Sequence, residues 1–261
     1  MADVSEYRKI DTVRDGHWQQ QDDAVVVESP LTIYFNGKEL VTMLCTPQDL
    51  ENLAVGFLYS EGFIEQHADI ESLRTDPGRG VVEVTSKRPV PMAEQFYGRR
   101  TITSGCGKGT TFFSAWDSLR SKPLAGGTSI SAACIHKLMQ TLQAEAVLFK
   151  KTGGVHSAAL CDADGVIYMS EDVGRHNAVD KIVGRCLQAG VGLQDKLVVS
   201  SGRISSEMLL KAAKLQVPIL VSRSAPTTFS VDVAREMNIT LVGFARGKRL
   251  NVYAAPERIK D

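Results

Sequence analysis

From residue 128 onward the chain alternates short hydrophobic, strand-like runs with amphipathic helical ones, and no other feature limits its possible folds as strongly. A helix reads near 131–144, then strands at 156–160 and 166–170 separated by the turn Asp162-Ala163-Asp164-Gly165. A helix over 175–187, a strand at 197–200, a helix at 205–214 and a strand at 218–221 follow. A helix at 228–236 and strands near 240–244 and 250–253 close the series. Strands and helices in turn indicate an α/β layer, and the expectation is a mostly parallel sheet.

The first part reads differently. Residues 24–28, 31–35 and 39–44 are β-rich, and Asn36-Gly37 between the last two supplies a hairpin signal. A helix start follows, with Thr46 able to cap, Pro47 suited to the first turn and Asp49 favouring the positive dipole end. Leu50, Leu53, Ala54, Phe57 and Leu58 then lie on one helical face, and Gly62 stops the helix. Residues 80–85 add a strand. The division this suggests is a polar N-terminal arm at 1–23, an α+β domain at 24–122 and an α/β cofactor-binding domain at 128–261. The Gly/Pro-rich link Pro123-Leu124-Ala125-Gly126-Gly127 marks the boundary.

Thirty basic and thirty acidic residues leave a formal charge of zero. That removes the electrostatic argument for a broad nucleic-acid or membrane surface, while leaving room for a local basic pocket. No apolar run approaches the ~18 residues of a membrane span, and the polar first residues lack a signal-peptide core. Five cysteines, Cys45, Cys106, Cys134, Cys161 and Cys186, are odd in number and none is spaced C-x-x-C. Free thiols in a reducing cytoplasm fit that pattern best. Four have apolar or small neighbours and read as core residues.

Cys106 is the exception. It lies in Thr103-Ser104-Gly105-Cys106-Gly107-Lys108-Gly109-Thr110, a segment with no apolar periodicity. A thiol beside an ammonium has a raised thiolate fraction, and thiolate is the nucleophile. Taken alone, the segment reads equally as a flexible spacer or a reactive loop.

Two strand-to-helix junctions in the second part resemble one another: Ser200-Ser201-Gly202-Arg203-Ile204-Ser205 and Ser222-Arg223-Ser224-Ala225-Pro226-Thr227. Each ends a hydrophobic strand with hydroxyls, an arginine and a helix start. Carboxyl ends of parallel strands and helix N-termini favour anions, which suits a phosphate or nucleotide. Ser and Thr also serve there simply as N-caps. Phe244-Ala245-Arg246-Gly247-Lys248-Arg249 offers a stacking face and three cations, or equally a solvated basic turn. His156 follows two glycines at a strand start and could line a pocket. Glu171, Asp172, Arg175, His176, Asp180 and Lys181 crowd one strand end and the helix after it, where an ion-pair network is favoured over direct catalysis. The zinc-deaminase pattern H-x-E with P-C-x-x-C and the G-x-S-x-G elbow are both missing, so no metal ligand set is assigned.

These segments together resemble the formate dehydrogenase accessory sulfurtransferase family, FdhD. The likeness rests on Pro47-Gln48-Asp49-Leu50-Glu51 with Gly56-Phe57-Leu58 and Ser60-Glu61-Gly62, on Gly105-Cys106-Gly107, and on His156-Ser157-Ala158-Ala159. It also rests on the run from Glu171 to Lys181, on Ser200-Ser201-Gly202-Arg203 with Ser206-Glu207-Met208, and on Leu241-Val242-Gly243-Phe244. The resemblance implies a cytidine-deaminase-like α/β domain with a smaller domain, and a homodimer. It implies a sulfur carrier that takes sulfane sulfur from a cysteine desulfurase as a persulfide. The sulfur then passes to the bis-molybdopterin guanine dinucleotide molybdenum cofactor destined for formate dehydrogenase. By motif, Cys106 matches the persulfide cysteine and Phe244 to Arg249 the cofactor-binding segment. Arg203 and Arg223 become candidate phosphate donors, with Ser200, Ser201, Ser222, Thr227 and His156 around them. One position departs: family members commonly carry G-C-G-x-C-G, and Gly109 stands here at the second cysteine.

Overall fold

The computed structural model describes residues 3–87, 101–102, 108–109, 123–125 and 127–261. Its centre is a six-stranded sheet in the order β11-β10-β12-β13-β14-β15. These strands are β10 (His156–Cys161), β11 (Val166–Asp172), β12 (Leu197–Ser200), β13 (Ile219–Ser222), β14 (Thr240–Arg246) and β15 (Arg249–Ala254). The sheet is mixed, which corrects the mostly parallel expectation. β12, β13 and β14 run parallel, whereas β10 is antiparallel to both β11 and β12, and β15 is antiparallel to β14. The cause is connection length. Among neighbouring strands, β12–β13 and β13–β14 are joined through helices, whereas the Asp162–Gly165 turn and the Gly247-Lys248 turn force their strands to double back. In the first of these turns Asp162 Oδ1 accepts from the backbone N–H groups of Asp164 and Gly165.

Six α-helices are present among the described residues: α1 (Leu50–Glu61), α2 (Ala132–Glu145), α3 (Val147–Thr152), α4 (Arg175–Ala189), α5 (Ser206–Lys214) and α6 (Thr228–Glu236). Alternate residues of the central strands point to opposite faces. Ala158, Leu160, Val198, Leu220 and Leu241 meet α4, α5 and α6 on one face. Ala159, Leu197, Val199, Val221 and Val242 meet Ile135, Leu138, Met139 and Leu142 of α2 on the other.

The first part forms a four-stranded sheet, β4-β3-β6-β5, from β3 (Ser29–Phe35), β4 (Lys38–Cys45), β5 (Ile70–Asp76) and β6 (Val81–Ser86). Asn36 and Gly37, both at positive φ, make the expected β3–β4 turn. Gly62, also at positive φ, ends α1, donating its N–H to the carbonyls of Leu58 and Tyr59. Thr46 does not cap α1; it is buried four residues before the helix and serves another purpose described below. The stretch expected as a polar arm is a hairpin of β1 (Ser5–Arg14) and β2 (His17–Val26) around an Asp15-Gly16 turn.

The two parts meet through α1 and α4, and two glycines set how closely. A methyl group on Gly56 would sit 1.8 Å from the Asp180 carbonyl oxygen, and one on Gly184 would sit 2.0 Å from that of Asn52. Neither position has room for a side chain. The link residues 123–125 lie against the end of α6: Leu124 N–H donates to the Met237 carbonyl, and Asn238 Nδ2 donates to that of Leu124.

Candidate functional site

Strand register carries most of the sequence-predicted site residues to one edge of the central sheet. His156 stands opposite Asp172, Ala158 opposite Ser200, Ser200 opposite Ser222, and Arg246 opposite Arg249. The start of β10, the ends of β11, β12, β13 and β14, and the start of β15 therefore share this edge.

The hydroxyls expected as ligand donors are engaged in bracing the loops. Buried Ser200 accepts from the Gly202 N–H at 3.1 Å. Buried Ser222 donates to the Gly202 carbonyl at 2.6 Å and accepts from the Ser224 N–H at 2.8 Å. Ser201 Oγ accepts from the Ser157 N–H, and Ser201 N–H donates to the Ser157 carbonyl, both at 2.9 Å. Thr227 caps α6 by accepting from Ser230 N–H. Arg223 N–H bonds the Ser200 carbonyl, and Phe244 N–H bonds that of Ser224. Each strand-end loop is thus tied to its neighbour, and the geometry of the edge is held by the protein itself.

What faces outward is positive. Arg203, Arg223, Arg246, Lys248 and Arg249 are all exposed. The Phe244 ring is half-buried, with the Arg246 and Arg249 guanidinium carbons 5.6 and 5.7 Å from its centroid. Phe244 itself adopts a left-handed backbone, φ 52°. Beside it Gly243 is required: a Cβ there would press on Pro226, Tyr253 and the Ser224 carbonyl at 3.0–3.1 Å. The Ala245 side chain, expected at the site, points instead into the core under α2, because strand alternation sends it to the opposite face from Phe244. An edge with guanidinium groups carried on braced loops and one aromatic ring can bind a phosphorylated ring compound, the arginines taking phosphate oxygens and the ring offering a stacking surface.

Arg175, read from sequence only as a member of an ion-pair network, belongs to this edge. A Cβ on Gly202 would lie 3.1 Å from Arg175 Cβ and 3.3 Å from His156 Nδ1, so the three residues are packed together. Burial holds the His156 pKa below the usual histidine value, and the Arg175 and Arg203 charges lower it further. His176 is pushed down to about 3, by burial first and then by Lys211, Arg175 and His156. Its Nε2 lies 3.4 Å from both Ser205 Oγ and Glu207 Oε2. A neutral His176 lets the edge present arginine charge without adding another buried cation. The signal for Arg175 was its place one residue after Gly174, at the first position of the helix that follows the strand end.

Beneath the edge, the Glu171–Lys181 segment forms the expected polar network. Lys181 Nζ pairs with Asp172 Oδ2 at 2.7 Å, fully buried. Asp172 Oδ1 accepts from Gly174 N–H and Asn177 Nδ2. Glu171 accepts from the Leu148 and Phe149 N–H groups at the start of α3 and from Ser157 Oγ. Asp180 holds Lys211 Nζ with both oxygens at 2.6 Å. Among the described residues, no group of three or more His, Cys, Asp or Glu is placed to hold a metal ion.

Cys106, the catalytic candidate, lies outside the described residues. Its flanks are described: β7 (Thr101–Ile102) pairs with β8 (Lys108–Gly109), Gly109 opposite Thr101. Burial pushes Cys45, Cys161 and Cys186 up to about 12, which leaves them protonated and unreactive.

The FdhD/NarQ family model matches residues 26–260. The chain is 44% identical over 259 residues to the sulfur carrier protein FdhD of Bacillus subtilis, covering 97% of this chain and 99% of that protein. It is likewise 44% identical to the FdhD sulfur carrier protein of Listeria monocytogenes, with 98% and 99% covered. A crystal structure from Desulfotalea psychrophila, of a candidate formate dehydrogenase accessory protein, superposes with a TM-score of 0.80 at 28% identity, covering 99% of this chain and all of that one.

Proposed function

The chain belongs to the FdhD/NarQ family, and from that premise we propose that it is a sulfur carrier serving formate dehydrogenase maturation. Cys106 carries the sulfur. Its thiolate attacks the outer sulfur of a cysteine persulfide on a desulfurase. An S–S bond forms at Cys106, the desulfurase S–S bond breaks, and the desulfurase cysteine leaves as thiolate. The proton stays on the transferred sulfur, leaving Cys106–S–SH. Lys108, two residues on, favours the thiolate that starts this exchange. This exchange takes place in the cytoplasm.

The acceptor of the sulfur is the guanine dinucleotide form of the molybdenum cofactor, bound as cargo. The observation that carries this part is the cationic edge itself: exposed Arg203, Arg223, Arg246 and Arg249 around the Phe244 ring, on loops braced by their own hydroxyls. That arrangement suits two linked phosphates and a purine, for which guanosine diphosphate is a practical mimic. A second reading, a chaperone that binds the cofactor with no covalent step, is favoured by Gly109, which denies the loop a second thiol.

Mass spectrometry after incubation with a cysteine desulfurase and cysteine separates the two. The carrier reading expects a gain of about 32 Da, one sulfur atom, on the Cys106 peptide. Cys106→Ser abolishes that gain while guanosine diphosphate still binds. A serine variant that still supports formate dehydrogenase activation would overturn the carrier reading and leave the chaperone.

A further inference from the structure

His156 opens β10 at the strand-end edge, on the same face of the sheet as Ala158, where α4 and α5 pack. Its place is fixed from the next residue on. Ser157 N–H donates to Ser201 Oγ, and the Ser157 carbonyl accepts from Ser201 N–H. The Gly202 peptide against which the ring rests is pinned in turn, its N–H by Ser200 and its carbonyl by Ser222. A Cβ on Gly202 would stand 3.3 Å from His156 Nδ1 and 3.1 Å from Arg175 Cβ. The missing side chain is what lets the imidazole and the Arg175 stem close over one peptide.

The charges around this ring are unbalanced. Arg175 opens α4 beside it, with His176 next along the helix, and exposed Arg203 follows Gly202 in the loop after β12. Asp172 stands opposite on β11, but its oxygens are already committed to Lys181, Asn177 and the N–H groups of Thr46 and Gly174. Glu207 of α5 is turned to His176. Burial, Arg175 and Arg203 all lower the His156 pKa, against a smaller upward pull from Asp172, so the free protein holds this imidazole neutral. A half-buried base beside two guanidinium groups, with the facing carboxylate engaged elsewhere, lacks only an anion to become a cation.

We propose that His156 takes up a proton from solvent when a nucleotide diphosphate binds at this edge, and that the imidazolium then holds phosphate together with Arg175 and Arg203. The proposal rests on the nucleotide reading of the edge given above. Two effects of the ligand oppose each other. Phosphate charge within about 4–6 Å raises a neighbouring pKa by about 1–3 units, while covering the ring disfavours the cation. The ring is half-buried before any ligand arrives, so most of the second cost is already present and the first effect wins. A group whose pKa is higher in the complex strengthens binding as pH falls, and that gain is lost as pH rises through the pKa of the complex.

The test uses the full chain and guanosine diphosphate mannose, a diphosphate diester whose own phosphates have no proton to exchange near neutrality. Calorimetry at about pH 6.5, in two phosphate-free buffers of unlike ionisation enthalpy, counts the protons. We expect an uptake of roughly half a proton or more per nucleotide, and an affinity about fivefold to tenfold higher at pH 6 than at pH 8. His156→Gln should still bind, with no uptake and with an affinity that is flat in pH. Binding by the parent without uptake overturns the proposal and leaves the nucleotide reading standing. Uptake that survives His156→Gln overturns it as well. A parent that does not bind the probe overturns the nucleotide reading, and the proposal with it. The imidazole proton resonances of the parent, titrated with and without the probe, give a check that needs no variant: one histidine should show a raised pKa in the complex, and a set of unchanged values overturns the proposal.

Discussion

The Lys181 ammonium lies 2.7 Å from the Asp172 carboxylate, with both side chains sealed from solvent. Thr46, 126 residues before Asp172, completes the arrangement. Its N–H donates to Asp172 Oδ2, its carbonyl accepts from Lys181 Nζ, and its Oγ1 accepts from Val173 N–H. The segment leading into α1 is thereby fastened to the strand end beneath the cationic edge.

Lys181→Met removes one member of that pair and leaves Asp172 buried without its counter-charge. We expect a loss of about 3–5 kcal/mol in stability, read by urea denaturation. The double variant Lys181→Met with Asp172→Asn should recover part of the loss, since no uncompensated charge remains. Equal stabilities for the parent and Lys181→Met would contradict the pairing.

Gly56→Ala and Gly184→Ala address the contact between α1 and α4. Each added methyl meets a backbone carbonyl of the other helix, and no side-chain rotation can relieve that. Each should cost about 1–3 kcal/mol or more, with the melting temperature falling accordingly. Gly190→Ala, where nothing lies within 4 Å, should cost less; the left-handed backbone there supplies the only strain.

Lys214 carries a pH signature. Burial pushes its pKa from 10.5 down to about 8, against the smaller upward pull of Glu61. Between those values the unfolded chain binds the proton that the folded chain has released, so stability rises with pH. Below pH 8 the full cost of burying the charged ammonium is present; it is relieved as pH rises from 8 toward 10.5. The stability of the parent minus that of Lys214→Met should increase by about 2–3 kcal/mol from pH 7.5 to pH 10. A flat difference would mean that Lys214 is ordinarily solvated.

Arg249→Ala removes one of the two guanidinium groups beside Phe244. Guanosine diphosphate binding, followed by calorimetry at two salt concentrations, should weaken about tenfold and lose part of its salt dependence. Under the proposed function, which assigns this edge to the nucleotide and the exchange to Cys106, sulfur loading of Cys106 should be unaffected. Loss of loading together with nucleotide binding would mean that the two sites are one.

Turns were legible in the sequence wherever local chemistry alone decides them. Asn36-Gly37, Gly62 and Asp162–Gly165 adopt the expected reversals because left-handed backbone and Asx hydrogen bonds are properties of the residues themselves. Asp15-Gly16 has the same chemistry, yet the strands it joins are mostly polar and carry no sustained hydrophobic alternation to announce them. Thr46 illustrates the opposite limit. Its place before Pro47 reads as a helix cap, while the structure spends all three of its polar groups on partners more than 120 residues away.

The sequence by itself determined the local elements, the hydrophobic faces that would be buried, and the set of cations and hydroxyls at strand ends. Periodicity, turn residues and strand-end composition are all written within a few residues of one another. Tertiary structure alone decided strand direction, the gathering of those ends on one edge, and the division of labour there. A hydroxyl next to an arginine looks like a ligand group in the chain, and only the folded structure shows that Ser200 is consumed by its own loop and Ser222 by the neighbouring one while the arginines remain outside. Hydrogen bonds and charge pairs act through space, and residues far apart in the chain take part in them only once packing has brought the strands together.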